Sequence, residues 1–244
     1  MSTSIRRRLA MQVLCLMGFV YPFALSYAGG FTISPVRLEL SDARRVGSFT
    51  IRNDAASPVT IDVRAVQWTQ NESSDDYNPT RDIIITPMIF SLEPGASQVI
   101  RVGLRRESNP THELAYRLFL TEIPAAAATP QAGIAMTLRL SVPLFLKPKI
   151  PATPRVEWTL NREAADVLRL TAKNVGTAHI QLANLELKHG EDVVAKQSAP
   201  AYLLPGSSRE WRLVTEKPFQ NRNAPLRLEG YSDFGDLQEE LSHP

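Results

Sequence analysis

Histidines and a cysteine are the residues of this chain that could carry chemistry. The four histidines could act as acid–base groups or metal ligands, but they are scattered without ligand spacing: His112, His179, His189 and His243. The sequence contains no GxSxG, HExxH, GxxxxGK or GxGxxG motif. The single cysteine, Cys15, lies in an apolar N-terminal run, so the rest of the chain has no thiol for catalysis, disulfides or metal binding. We therefore expect no enzyme, no metal and no cofactor, and His179 is expected to be a half-buried strand residue.

Residues 133–146 show the clearest periodicity in the chain. Their apolar residues occupy alternate positions: Ile134, Met136, Leu138, Leu140, Val142, Leu144 and Leu146. This period of two predicts a β-strand with one apolar face. The segment is longer than a usual strand, so one end is expected to overrun its sheet. Proteins normally protect such edges with charge or proline, so an open apolar edge indicates contact with another protein. The alternative is an ordinary long core strand.

The N-terminus has the pattern of a secretory signal peptide. Three arginines at positions 6–8 precede an apolar run at 9–25, and Ser26-Tyr27-Ala28 forms a cleavage site. A membrane anchor is the alternative, but the following residues turn polar at once and no other run approaches the ~20 apolar residues of a spanning helix. Cleavage after Ala28 lowers the basic residues from 27 to 24, against 25 acidic ones. This balance does not indicate a nucleic-acid partner.

From Phe31 onward, short alternating segments separated by turn residues predict strands. In the first half these are residues 36–40, 47–53, 59–68, 83–85, 88–90, 97–104, 113–124 and 133–146. The polar residues 71–81 are expected to form an exposed loop. The proline-rich residues 147–154 are expected to be a stiff linker. Beyond it, strands are predicted at 156–160, 167–174, 179–187, 193–197, 207–213 and 226–231. This pattern predicts an all-β chain of two β-sandwiches.

Several ordered motifs of the sequence are familiar from one protein family. They are residues 47–68, Thr86-Pro87, Leu92-Glu93-Pro94-Gly95, the strand 116–124 that ends in Thr-Glu-Ile-Pro, and Leu144-Phe145-Leu146-Lys147-Pro148. Together they resemble the periplasmic, PapD-like chaperones of the chaperone-usher pilus pathway, and most of all its archaic branch, which includes spore-coat-type and Csu-type pili. The resemblance covers nearly the whole chain after the signal peptide and is densest over residues 31–148.

The resemblance implies a fold and a mode of action. It implies two immunoglobulin-like domains in a boomerang arrangement, residues 29–148 and 149–244, after a signal peptide at 1–28. The last strand of the first domain would be lent to a pilus subunit that lacks a strand, and an outer-membrane usher would receive the complex in the periplasm. The residues expected to fill the subunit's groove are Ile134, Met136, Leu138 and Leu140. Val142, Leu144 and Leu146 would continue the same face into the chaperone's own core.

The family also anchors the subunit's C-terminal carboxylate on two basic residues. Arg37 matches the first, whereas the second, a lysine, falls on Pro143 in this sequence. A cation must still meet the carboxylate, and Arg117 is the leading substitute because it lies on the neighbouring predicted strand. Further candidates are Lys147, Lys149 and Arg169. For each of these, a solvated surface charge is the alternative.

A third implication concerns the contact between the two domains. The family's interdomain charge cluster corresponds here to Glu113, Lys147 and Asp233.

An exported structural or adhesive immunoglobulin-like protein of a surface fibre is the alternative function. The apolar donor strand also makes it plausible that a second copy of the chaperone caps the free chain as a dimer or larger oligomer.

Overall fold

The structure, a computed structural model, describes residues 30–71, 74–109, 111–124, 137–215 and 225–244. These residues form eighteen strands and no helix, which confirms the all-β prediction. No helix among them is long and apolar enough to cross a membrane. The strands are β1 (Phe31–Ser34), β2 (Leu38–Leu40), β3 (Val46–Asn53), β4 (Val59–Asn71), β5 (Ser74–Pro79), β6 (Ile83–Thr86), β7 (Ile89–Leu92), β8 (Ser97–Leu104), β9 (Leu114–Ile123), β10 (Arg139–Leu146), β11 (Val156–Ala164), β12 (Val167–Asn174), β13 (Ile180–His189), β14 (Asp192–Gln197), β15 (Ala201–Leu203), β16 (Ser208–Val214), β17 (Leu226–Ser232) and β18 (Gly235–Leu241).

Strands β1 to β10 form an N-terminal sandwich. One sheet has the order β1-β3-β8-β6, and the other has the order β2-β10-β9-β4-β5, with β7 also paired to β4. In β3 and β8 alternate residues are buried, as expected for strands that turn one face to a core. Phe49, Ile51, Ile100, Leu118 and Leu144 lie at the centre of that core, each no more than 1% exposed.

Strands β11 to β18 form a C-terminal sandwich with a core of its own. Its sheets have the orders β11-β12-β16 and β14-β13-β17-β18, with β15 beside β13. The core includes Leu168, Leu170, Leu182, Leu187 and Leu228. β10 ends at Leu146 and β11 begins at Val156, so the change of sandwich falls within the stretch predicted to be the linker.

The same turn device appears once in each sandwich. A fully buried asparagine ends β3 and another ends β12, and each side-chain amide donates to two carbonyls and accepts a backbone N–H. The partners of Asn53 are Ser57, Leu92 and Ala55, and those of Asn174 include Ala178, Leu203 and Gly176. Gly95 (φ 75°) and Gly206 (φ 78°) each donate a 2.8 Å hydrogen bond to the carbonyl of the local asparagine. Their positive φ requires the absence of a side chain.

One prediction about a loop is wrong. Residues 71–81 were expected to be an exposed loop, but β4 extends for 13 residues to Asn71 and pairs with β5. Asp75 Oδ1 accepts hydrogen bonds from Trp68 Nε1 at 3.1 Å and from Gln70 Nε2 at 2.8 Å. These bonds attach the polar strand β5 to β4 through the Asp75 side chain. The first strand β1, the short strand β15 and the final strand β18 were not predicted either.

Candidate functional site

Strand β10 has two halves in different surroundings. Residues 142–146 are all buried, and Val142, Leu144 and Leu146 lie in the N-terminal core, as expected from the alternation. Leu140 is half-buried and packs against the same core. Leu138, just before β10, is 40% exposed. The apolar face therefore passes from the core to the surface along a single strand.

The described residues test the predicted donor segment only at its C-terminal end. Ile134 and Met136 lie outside the described residues. Leu140 already contacts the protein's own core, whereas Leu138 does not belong to it. The role of all four in binding a partner stays a prediction.

One edge of β10 is open over most of its length. On one side, β10 pairs with β9 from Arg139↔Thr121 to Leu146↔Leu114. On the other side, β2 pairs with Leu144, Phe145 and Leu146 only. Residues 139–143 therefore have no strand beside them on that side in the part of the chain that the structure describes. Unpaired backbone groups of this kind can pair with a strand from another chain.

At Phe145, the opposite face of β10 is covered by the C-terminal sandwich. Phe145 is fully buried, in a cluster with Trp68, Ala115, Leu204 and the partly buried Tyr202. Tyr202 lies on β15 and Leu204 follows it. The alternation of β10 indicates one apolar face only, so sequence reasoning missed this contact. β10 is thus packed on both faces at its C-terminal end, whereas Leu138, just before the strand, does not belong to either buried cluster.

A glutamine side chain ties the two sandwiches together beside this cluster. Gln70 on β4 donates from Nε2 to the Tyr202 carbonyl at 2.9 Å and accepts the Leu204 N–H at Oε1 at 2.8 Å. The side-chain amide thereby makes the pair of bonds that a neighbouring strand would make. This clamp holds Tyr202 against the N-terminal sandwich.

Arg117 lies in the space between Trp68 and Tyr202. Its guanidinium carbon is 3.8 Å from the Trp68 ring centre and 5.2 Å from that of Tyr202, which is within the range of cation–π contacts. Its backbone is directly opposite Pro143 in the β9–β10 ladder. Burial lowers the pKa of Arg117, and the negative charge of Asp75 offsets part of this effect.

No carboxylate of the described residues lies within ion-pair distance of Arg117, and its Nε is buried without a hydrogen-bond partner. The side chain is therefore held by two aromatic rings while its Nε–H donor remains unsatisfied. A half-buried cation of this kind gains more from an incoming anion than an exposed one does.

Arg37 is engaged by acidic residues. It donates to Asp233 Oδ2 at 2.8 Å and lies 3.7 Å from Glu39 Oε1. Asp233 belongs to the turn between β17 and β18, so this pair joins the two sandwiches. Burial raises the pKa of Asp233, but the nearby His179 ring and the hydrogen bonds from the Gln181 N–H and Arg37 outweigh it and lower the pKa.

The three residues of the predicted interdomain charge cluster are linked through other ionisable side chains rather than directly, and Lys147 reaches Asp233 through Glu39 and Arg37. Glu113 and Asp233 do lie close together, but His179 stands between them, with Nδ1 2.5 Å from Glu113 and Nε2 3.5 Å from Asp233. Lys147 is instead 2.6 Å from Glu39. His179 is 4% exposed, so it is buried rather than half-buried as the sequence predicts. It lies just before β13 rather than on a strand as the sequence predicts, and no local pattern indicates this contact.

The other candidate cations occupy separate positions. Lys149 pairs with Glu107 at 3.2 Å. Arg169, on β12, lies 3.2 Å from Glu210 and 3.4 Å from Glu163, all within the C-terminal sandwich. A cleft of about 500 Å³ between the sandwiches is lined by Arg37, Lys147 and Lys149 and includes neither Arg117 nor Arg169.

Comparison with known families shows which family contains the sandwich with the open β10 edge. Residues 30–151 match the family described as Pili and flagellar-assembly chaperone, PapD N-terminal domain. The chain belongs to this family. The resemblance in the sequence motifs is thereby confirmed. The match begins just before β1 and ends just after β10, so the open strand edge belongs to the family's own domain.

One curated relative is the chaperone protein LpfB of Salmonella typhimurium, strain LT2. It is 28% identical over 127 residues, which are 50% of this chain and 52% of that protein. The chain thus spans about half the length of the curated relative that it matches.

Solved structures of pilus chaperones share the fold over both sandwiches. A chain of the CsuC–CsuE chaperone–tip adhesion subunit pre-assembly complex, from the archaic chaperone-usher Csu pili of Acinetobacter baumannii, aligns with a TM-score of 0.66 at 18% identity, covering 87% of this chain and 98% of that chain. The Escherichia coli chaperone DraB aligns at 0.59 and 20%, covering 88% and 99%. A chain of the Salmonella enterica SafA pilin–SafB chaperone complex aligns at 0.60 and 12%, covering 87% and 96%.

Proposed function

We propose that this protein is a periplasmic chaperone that binds pilus subunits by lending them the exposed end of the strand that continues into β10. The observation that carries the proposal is the open edge at residues 139–143, which continues toward the exposed Leu138. An incomplete sandwich could add its own strand along this edge and receive apolar side chains from it. Subunit binding in two of the solved complexes belongs to those proteins and supports the same role here.

The expected contribution of the donor side chains is substantial. Burying one large aliphatic side chain is worth about 1.5–3 kcal/mol before ordering costs. Leu138 has this gain available because it is exposed, whereas Leu140 has only the part that its own core leaves unburied. Ile134 and Met136 would supply the rest, together with main-chain hydrogen bonds along the edge. No nucleotide is needed for such binding.

Arg117 is proposed to replace the family's missing lysine at the carboxylate anchor. It lies opposite Pro143, the position of that lysine, and its buried Nε–H donor is unsatisfied. Arg37 would contribute the second cation from within its pair with Asp233. Two cations would then fix the subunit's C-terminus and with it the register of the added strand.

Replacing Arg117 with glutamine is expected to weaken subunit binding about 10- to 100-fold, because one charge-assisted hydrogen bond contributes about 1.5–3 kcal/mol. The measurement is the affinity of the purified variant for an isolated pilus subunit. Arg101→Gln is the matched control, since Arg101 is exposed on β8 in the other sheet. Equal affinities for the wild type and Arg117→Gln would exclude Arg117 from the anchor.

The remaining features of the proposal follow from the family. The signal peptide would direct the chain to the periplasm, and an outer-membrane usher would accept the loaded chaperone. The proposed domains are residues 29–148 and 149–244. A free chain would protect its donor strand in a dimer or larger oligomer.

Co-expression with each pilin-like protein encoded nearby tests the function directly. The chaperone is expected to co-purify from the periplasm with at least one of them, and that subunit should be lost when the chaperone is omitted. A subunit that reaches the same soluble yield without the chaperone would contradict the proposal. The alternative of an adhesive fibre component is not favoured, because the chain matches the chaperone family over residues 30–151.

A further inference from the structure

His179 connects the two sandwiches at the point where β10 is anchored. Its ring stacks on Phe145 with a centre distance of 3.5 Å and an angle of 6°. Its Nδ1 and its backbone N–H both lie within hydrogen-bond distance of Glu113 Oε1, at 2.5 and 3.2 Å. Glu113 and Phe145 come from the N-terminal sandwich, whereas His179 comes from the C-terminal one. A single ionisable ring thus touches the donor strand and both halves of the protein.

The hydrogen-bond partners of His179 favour its charged form. The Glu113 carboxylate only accepts hydrogen bonds, so the proton on Nδ1 must be donated to it. Nε2 faces Asp233 Oδ2 at 3.5 Å. In the neutral ring this nitrogen would point a lone pair at a carboxylate, whereas in the charged ring it presents an N–H. Burial lowers the pKa of His179, but the negative charge of Asp233 at 3.5 Å and the hydrogen bond and charge of Glu113 outweigh it and raise the pKa.

Asp233 links His179 to the candidate anchor Arg37. Its Oδ2 is shared between Arg37, at 2.8 Å, and His179, and its Oδ1 accepts the Gln181 N–H at 2.9 Å. Other ionisable groups around the ring are Glu39, paired with Lys147, and the Tyr202 phenol, whose ring centre is 5.9 Å away. The protonation state of His179 therefore determines how strongly Asp233 attracts Arg37, because a charged His179 ring shares the same carboxylate oxygen.

We infer that His179 is a positioning residue which, while protonated, holds Asp233 and through it Arg37 at the anchor beside β10. The inference rests on the proposed function, because only a bound carboxylate requires Arg37 in a fixed place. Loss of the proton leaves Glu113 and Asp233 without the cation between them. Among the residues that the structure describes, Arg37 is then the only cation left beside Asp233, which draws Arg37 away from a partner and loosens the contact between the sandwiches.

The pH dependence follows from the sign of the pKa shift. A group whose pKa is raised in the folded state stabilises that state fully below its unfolded value, here about 6.5. The stabilisation is lost as the pH rises through the raised pKa. The contact between the sandwiches should therefore be firm at mildly acidic pH and weaken above it.

Nuclear magnetic resonance of the free, full-length chain tests this relay without any subunit. The His179 ring is expected to titrate above pH 6.5, and the Gln181 amide and Arg37 Nε signals should change with the same midpoint. Glu113→Gln keeps the shape of the side chain but removes its charge, so the shared midpoint should fall by roughly one pH unit. His112→Gln is the control, because His112 is exposed and should leave the midpoint unchanged.

Two results would overturn the inference. One is a Gln181 or Arg37 signal that does not follow the His179 titration, and the other is an unchanged midpoint in Glu113→Gln. A histidine that only packs between the sandwiches would give the first result, because its titration would not reach Arg37. Failure of subunit capture would refute the proposed function and leave these measurements intact, so the two failures are distinguishable.

Discussion

Replacing Leu138 with lysine is expected to reduce subunit capture on the order of 100-fold or more while the chaperone stays folded. Leu138 is 40% exposed, so the variant loses little of the protein's own packing. The new ammonium group would have to enter an apolar groove in the partner. That costs both the lost burial of leucine and the desolvation of a charge.

The position also offers a local partner that protects the fold. The Glu122 N–H donates to the Leu138 carbonyl at 3.0 Å, so the two residues are neighbours across the β9–β10 ladder. A lysine at position 138 could pair with the Glu122 carboxylate, and opposite charges at cross-strand positions are tolerated or mildly stabilising. The fold should therefore survive the substitution.

Val99→Lys is the matched control for this experiment. Val99 is 45% exposed on β8, in the sheet that does not contain β10. It is expected to leave capture unchanged, as measured by the yield of co-purified subunit and by titration with the isolated subunit. Undiminished capture by Leu138→Lys would mean that this end of the strand does not enter the partner.

Strands with one buried face could be predicted from the sequence, because their alternation records their surroundings directly. β8 and β12 begin and end where the period-two pattern does. The same holds for Val142, Leu144 and Leu146, which lie in the core on the face that the pattern indicates. Where one core decides burial, the sequence pattern is sufficient.

Contacts between the sandwiches could not be predicted in this way. Phe145 occupies a position that the alternation assigns to the outer face, yet the second sandwich buries it completely. His179 and Gln70 are polar residues whose partners lie 66 and more than 100 positions away along the chain. No local pattern indicates such partners, because they are set by the angle between two domains.

The loop prediction for the residues that form the β4–β5 hairpin was wrong for a related reason. Its residues are polar and turn-forming, which is typical of a loop. In the structure, Asp75 accepts hydrogen bonds from the side chains of Trp68 and Gln70, and Tyr77 packs edge-on against Phe119. Side-chain pairing therefore compensates for the weak strand propensity of this segment. Gln70 also clamps Tyr202, so the hairpin contributes to the site that holds Arg117.

Replacing Leu144 with alanine is expected to destabilise the N-terminal sandwich by about 2–5 kcal/mol, because Leu144 is fully buried and its loss leaves a cavity. Leu138→Ala removes an exposed side chain from the same strand and should change stability by no more than about 0.5 kcal/mol. Urea unfolding followed by hydrogen exchange would report each sandwich separately. Peptides from β3 and β8 should lose protection in Leu144→Ala, with a smaller effect on β12.

The contrast between these two leucines tests how β10 works as a donor. A strand can be lent to another protein only if its remaining length is anchored firmly enough to resist being pulled from its own sheet. Leu144 is paired on both edges, by β9 and β2, whereas residues 139–143 are paired only with β9. Equal stability of the two variants would mean that the C-terminal half is not the anchor, and strand donation would then lack its mechanical support.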